Sequence, residues 1–163
     1  MHYQKMECNV AIFNIPGAYL HAKMPEEHQV MLKLKDKFVD IICTVNAEFK
    51  KHILIENGVK FLYLQVLRAI YGCIRYALLW YNLCRETLKE QEYKIKPYNC
   101  CVANKLINGA QCTLVWYVNN NKICHINPTV VTNEMKMISE HFGDLSILRG
   151  DKHRFLGMDI ELY

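Results

Sequence analysis

The chain has 163 residues, enough for one domain with a sizeable core and too few to expect two. Its 52% hydrophobic and 22% charged composition is that of an ordinary globular protein, and no run approaches the ~18 consecutive apolar residues of a membrane span. A net charge of +4 permits a phosphate-rich partner without requiring one.

Met1-His2-Tyr3-Gln4-Lys5 has no signal-peptide apolar region, so the expectation is a soluble intracellular protein, cytoplasmic or nuclear. The eight cysteines form no CxxC pair, and without a secretory signal they do not read as a disulfide framework. Cys112, Cys124 and His125 lie near one another in sequence, but structural zinc sites favour paired, closely spaced ligands. Most of the cysteines are expected to be small apolar fillers.

In chain order, Val10 to Ile15 reads as a buried strand ended by Pro16-Gly17, with a short helix over Ala18 to Lys23 and a turn at Met24 to Glu27. Gln29 to Leu34 reads as a strand with Val30, Leu32 and Leu34 on one face. Asp36 suits the N-cap of a helix carrying Phe38, Val39, Ile42, Val45 and Phe49. Glu56-Asn57-Gly58 turns the chain into a strand over Val59 to Val66. The strongest helix runs from Arg75 to Glu92, with Ala77, Tyr81, Cys84 and Leu88 as its apolar stripe.

Pro97 ends any continuation of that helix. Cys101 to Ile107 and Gln111 to Val118 then flank Asn108-Gly109, a dipeptide suited to a tight hairpin. Tyr117-Val118-Asn119-Asn120 follows at a second, Asn-rich tip with Asn121-Lys122 as a polar turn, and Ile123 to Ile126 continues the sheet. Asn127-Pro128 is an N-cap with proline at the first helical position. Val131, Met135, Ile138 and Phe142 form that helix's stripe, and Gly143 its stop. Leu145 to Arg149 and Arg154 to Leu162 read as closing strands. Strands and helices interleaved with adjacent hairpins make the fold class α+β.

Four stretches, in this order, resemble the reverse transcriptase of copia-type LTR retrotransposons. Phe13-Asn14-Ile15-Pro16-Gly17-Ala18-Tyr19-Leu20-His21-Ala22 is similar to the family's aspartate-led strand and its A-F-L-x-G turn. Leu67-Arg68-Ala69-Ile70-Tyr71-Gly72-Cys73 with Leu79-Trp80-Tyr81 resembles the K-A-L-Y-G-L block and the W-Y entering the palm helix. Tyr117-Val118-Asn119-Asn120 matches Y-V-D-D apart from its amides, and Phe155-Leu156-Gly157-Met158-Asp159-Ile160 is similar to the F-L-G-I/M-x-I strand.

The resemblance implies a palm-like antiparallel sheet packed on helices with a partial fingers subdomain. It implies a single palm/fingers fragment over 1–163, with roughly 24–66 as a fingers-like insertion and with thumb and RNase H absent. The implied activity is RNA-directed DNA polymerisation within a retrotransposon polyprotein, on an RNA or DNA primer–template and a dNTP. Two Mg²⁺ ions activate the primer hydroxyl and stabilise the leaving pyrophosphate in that reaction.

Carried over residue by residue, the three metal-binding aspartates are Asn14, Asn119 and Asn120. An amide oxygen can ligate a hard cation but brings no charge. A unit charge pair at roughly 4 Å is worth about 4 kcal/mol at an effective dielectric near 20, and about 1.4 kcal/mol is a tenfold change in rate. The expectation is therefore an inactive copy that has lost its magnesium. The alternative is a noncatalytic nucleic-acid-binding or interaction module derived from the same domain.

The resemblance also places Tyr19, Arg68, Tyr71, Gly72 and Tyr117 near nucleotide or template. The competing reading makes Asn14, Asn119 and Asn120 turn and strand-end residues, Tyr19 a core aromatic and Arg68 a solvated cation at a helix start. Trp80 and Trp116 read as core. Lys50-Lys51-His52 and the stretch from Arg149 to Arg154 read as solvated basic faces.

Overall fold

The computed structural model describes residues 8–72, 74–150 and 152–161. The readings made above on Met1 to Lys5, Cys73 and Leu162 lie outside them. The elements are β1 (Asn9–Asn14), α1 (Ala18–His21), β2 (Met31–Lys35), α2 (Lys37–Val45), β3 (Leu54–Glu56), β4 (Val59–Gln65), α3 (Ile74–Glu90) and β5 (Lys94–Lys96), followed by β6 (Asn99–Ile107), β7 (Ala110–Tyr117), β8 (Asn120–His125), α4 (Pro128–Phe142), β9 (Ser146–Arg149), β10 (Lys152–Phe155) and β11 (Met158–Glu161). Helices and antiparallel sheets are mixed, and among the described residues no helix is long and apolar enough to cross a membrane. The chain divides into two compact units. One runs to Ala22 and resumes at Ile70; the other is Lys23–Ala69.

The first unit is built on a six-stranded sheet in the order β5-β6-β7-β8-β1-β9, every neighbouring pair antiparallel. Within it, β1, α3, β7, β8, α4 and β9 follow the β-α-β-β-α-β connectivity, with β8 inserted between β1 and β7. Because side chains alternate along a strand, one face collects Ala11, Phe13, Leu114, Trp116, Asn121 and Ile123, each no more than 2% exposed. The opposite face presents Asn14, Tyr117, Asn120 and Lys122.

The helix α4 packs on β1 and β8 and begins where sequence chemistry puts it. Asn127 Oδ1 accepts the Thr129 N–H at 2.9 Å, Pro128 opens the first turn, and Gly143 closes the last with φ 79°. Its buried residues are Val130, Val131, Met135, Ile138 and Phe142.

In α3 the expected stripe holds at Cys84 and Leu88, and its first half is displaced by one residue. Tyr76, Trp80, Cys84, Thr87 and Leu88 are buried, whereas Ala77 is exposed and Tyr81 half-buried. Apolar residues occur on two adjacent arcs of this helix, and the larger aromatics take the core because they remove more apolar area from water.

The second unit is the sheet β2-β4-β3 covered by α2, around Val39, Cys43 and Leu62. Several local expectations change here. Phe38 and Val45 are 65% and 80% exposed, because Val39, Ile42 and Cys43 form the face that meets the sheet. Asp36 holds the N-cap position of α2 as expected, but its side chain makes no capping hydrogen bond. Its φ is 45°, and its Oδ1 instead accepts the Lys60 N–H at 3.2 Å. The helix stops before Phe49 because Asn46 Oδ1 accepts the Glu48 N–H and starts a separate 3-10 turn, Ala47–His52. Across Asn57-Gly58, β3 pairs with β4, and in the first unit β5 pairs with β6. Both are three-residue strands too short to carry a periodic signal.

Two further corrections fall at the C-terminal end and at the second hairpin. The stretch read as one strand over Arg154 to Leu162 is a hairpin, β10–β11, turning at Leu156-Gly157 with φ 51° and 80°. The second tip lies at Val118-Asn119, and Asn120, Asn121 and Lys122 already belong to β8. A run of three asparagines has loop composition, but strand pairing buries the last of them, Asn121.

Candidate functional site

Asn14 ends β1 directly opposite Asn120, the first residue of β8. The Ile15 N–H donates to the Asn119 carbonyl at 2.9 Å just beyond this pair. That bond makes Asn14 and Asn120 a non-hydrogen-bonded cross-strand pair, the type whose Cα atoms approach to about 4.5 Å. The ladder extends the row on both sides: Tyr117 pairs with Asn120, and Ser146 of β9 pairs with Asn14. Tyr117, Asn120, Asn14 and Ser146 thus cross four strands on one sheet face, with Asn119 at the adjacent turn.

The amides satisfy one another only in part. Asn120 Nδ2 donates to Asn119 Oδ1 at 3.4 Å, and Asn121 Nδ2, from the opposite face, donates to the Asn119 main-chain carbonyl at 2.9 Å. Among the described residues Asn14 Oδ1 is buried with no hydrogen-bond partner. Such an oxygen costs about 1–3 kcal/mol of uncompensated desolvation.

The turn itself is held from below. Pairing of Tyr117 with Asn120 leaves Val118 and Asn119 as a two-residue loop, with positive φ at Val118 alone. That is the φ pattern of a type II′ turn, whose first central position normally takes glycine. Val118 has φ 56°, and for a β-branched residue this region costs about 1–3 kcal/mol. The Trp80 indole N–H donates to the Val118 carbonyl at 2.7 Å. Trp80 is 2% exposed and packs edge-on against Phe142 at 5.1 Å between ring centroids; His21 lies 5.6 Å from Phe142 and 6.1 Å from Trp80.

The remaining expected contact residues are distributed as follows. Tyr19 is buried, and its ring lies 4.4 Å from that of Tyr71, which is exposed. Gly72 completes the turn after Tyr71 with φ 104°. Arg68 belongs to the second unit, where its strand-like bridge to Lys23 places it in extended backbone before α3 rather than at a helix start. The site assembled here is therefore made of first-unit residues.

These residues do not fit the magnesium pair that the resemblance implies. Mg²⁺ is bound through one or two carboxylates plus phosphates and water, and the row offers neutral amides, a hydroxyl and a phenol. The Asn119 main-chain oxygen already accepts two hydrogen bonds. Among the described residues no group of three or more His, Cys, Asp or Glu side chains could hold a metal ion.

Sequence reasoning missed three contributors: Val118 as a strained turn residue, Asn121 as a buried prop and Trp80 as a hydrogen-bond donor to the hairpin. The alternation Asn121, Ile123, His125, all 1% exposed or less, was the available signal for the second. Comparison with protein-family models, with curated proteins and with solved structures finds no match for this chain.

Proposed function

We propose that the chain is a reverse-transcriptase (RNA-directed DNA polymerase) palm of copia-type retrotransposon descent that no longer polymerises. The observation carrying this reading is the cross-strand pair Asn14–Asn120 with Asn119 beside it. Residues 106 positions apart in sequence, singled out by separate motifs, stand face to face on the open side of one sheet. A chance origin of the motifs gives no reason for that convergence. The inserted Lys23–Ala69 unit takes the place of the fingers in this reading. Split βαβ sheets host many functions, so the topology alone assigns none.

The loss of activity follows from charge. With asparagine at all three positions nothing draws two divalent cations to the sheet edge, and the protein is expected to show no Mg²⁺-dependent primer extension. The triple change Asn14→Asp, Asn119→Asp, Asn120→Asp restores three clustered carboxylates. It should bind Mn²⁺ measurably by calorimetry and lose stability in metal-free buffer through like-charge repulsion. A triple variant that binds Mn²⁺ no better than the starting protein would remove the chemical support for polymerase descent.

A further inference from the structure

We infer that Trp80 is a positioning residue for the Val118-Asn119 hairpin, acting through its indole N–H rather than through its bulk. That the positioned residues are a former polymerase site rests on the reading above; the clamp itself does not.

Three observations converge. Val118 occupies a backbone region that a β-branched residue avoids, so the local sequence does not favour this turn. Its carbonyl accepts the shortest side-chain-to-backbone hydrogen bond of the hairpin, 2.7 Å from Trp80, where water competes poorly because Trp80 is 2% exposed. The next carbonyl, that of Asn119, is fixed from two other directions by Ile15 N–H and Asn121 Nδ2. The two turn carbonyls are thus pinned to α3, to the residue after β1 and to β8. The side chains of Asn119 and Asn120 are aimed by a backbone that can take one course only. Trp80 is anchored in its turn by Phe142 of α4, so both helices beneath the sheet bear on the turn.

The molecule contains its own control. Trp116, on β7 opposite Asn121, is equally buried at 2%, but its Nε1 is a buried donor without a partner among the described residues. Trp→Phe therefore removes a hydrogen bond at position 80 and none at position 116, with the same loss of ring volume.

The readout is amide hydrogen exchange at Ile15, whose N–H reports closure of the hairpin onto β1. Trp80→Phe should raise exchange at Ile15 by about tenfold over Trp116→Phe, the effect of losing one well-formed bond. Adding Val118→Gly to Trp80→Phe should restore most of the protection, because glycine takes the turn without being held. This double variant also serves if Trp80→Phe alone does not fold. Equal exchange in the two single variants, or no recovery with glycine, overturns the clamp.

In the triple-aspartate background Trp80→Phe should weaken Mn²⁺ binding about tenfold while Trp116→Phe leaves it near the parent. Equal weakening by the two changes would overturn the positioning role. If the triple variant binds no Mn²⁺ but Ile15 responds as described, the polymerase reading fails and the clamp stands.

Discussion

The strand β7 ends in a hairpin on either side, and the two turns are built on opposite principles. At Asn108-Gly109 both central residues have positive φ, 52° and 79°, the pattern of a type I′ turn, and both residue types tolerate it. At Val118-Asn119 the positive φ falls on valine. The first turn is specified by the two residues that make it. The second is imposed by Trp80, Asn121 and Ile15, from α3, β8 and the end of β1, and it carries the candidate site. Strain held in place by surrounding structure is common where side chains must be aimed, and here it coincides with the amide row.

Solution pH should have the largest effect, and it acts on buried groups toward both ends of β7. Toward the Asn108-Gly109 hairpin, burial pushes the Cys112 thiol of β7 up to about 11; toward the other end of β7, burial and the neighbouring Cys101 of β6 push the Cys84 thiol of α3 up to about 12. Burial, then the neighbouring Cys112 and Glu134, likewise raise the Tyr93 phenol. Tyr93 Oη donates to Glu134 at 2.9 Å and lies 3.4 Å from Cys112 Sγ. Each folded pKa lies above the unfolded value, so the protonated form favours folding. That contribution is complete below pH ~9 and is lost as pH rises from there toward 11–12. Cys84 alone should cost up to about 1.4 kcal/mol per pH unit in that window. Urea midpoints at pH 8 and pH 10 measure the slope, and Cys84→Ala should flatten it. A slope unchanged by that substitution would place the base sensitivity elsewhere.

A smaller effect is expected from Gly109→Ala. No atom lies within 4 Å of a Cβ built there, so any cost comes from the backbone at φ 79°, about 1–2 kcal/mol. Thermal unfolding of this variant tests whether the first turn is locally encoded; an unchanged melting temperature would say it is not.

The converse change, Val118→Gly, should stabilise the protein by about 1 kcal/mol, relief of strain exceeding the entropy that glycine adds to the unfolded chain. It should also make the Ile15 amide less dependent on Trp80. A loss of stability would mean that packing of the valine side chain outweighs its strained backbone.

Much of the first unit was legible because its signals are local. Asn127-Pro128 and Gly143 bracket α4, Val131 to Phe142 give its buried stripe, and Asn108-Gly109 marks a hairpin. Each uses residue chemistry that works within a few positions. What failed was decided at a distance. Ala77 and Tyr76 are both plausible core residues of α3, and only the sheet beneath selects the aromatic. Asp36 serves as acceptor to Lys60, 24 residues away, where its position suggested a cap. Leu156-Gly157 sits inside an apolar run that reads as a strand, yet the chain folds back there.

The order of the motifs and the identities of Asn14, Asn119 and Asn120 are properties of the sequence alone, and they suffice to raise the metal question. The sequence likewise determines that the chain alternates strands and helices with room for one inserted unit. Only the tertiary structure pairs Asn14 with Asn120, buries Asn121 and ties Val118 to Trp80. The reason is physical. Cross-strand register and hydrogen bonds to main-chain carbonyls join residues far apart in the chain, and no local pattern records which carbonyl an indole will reach.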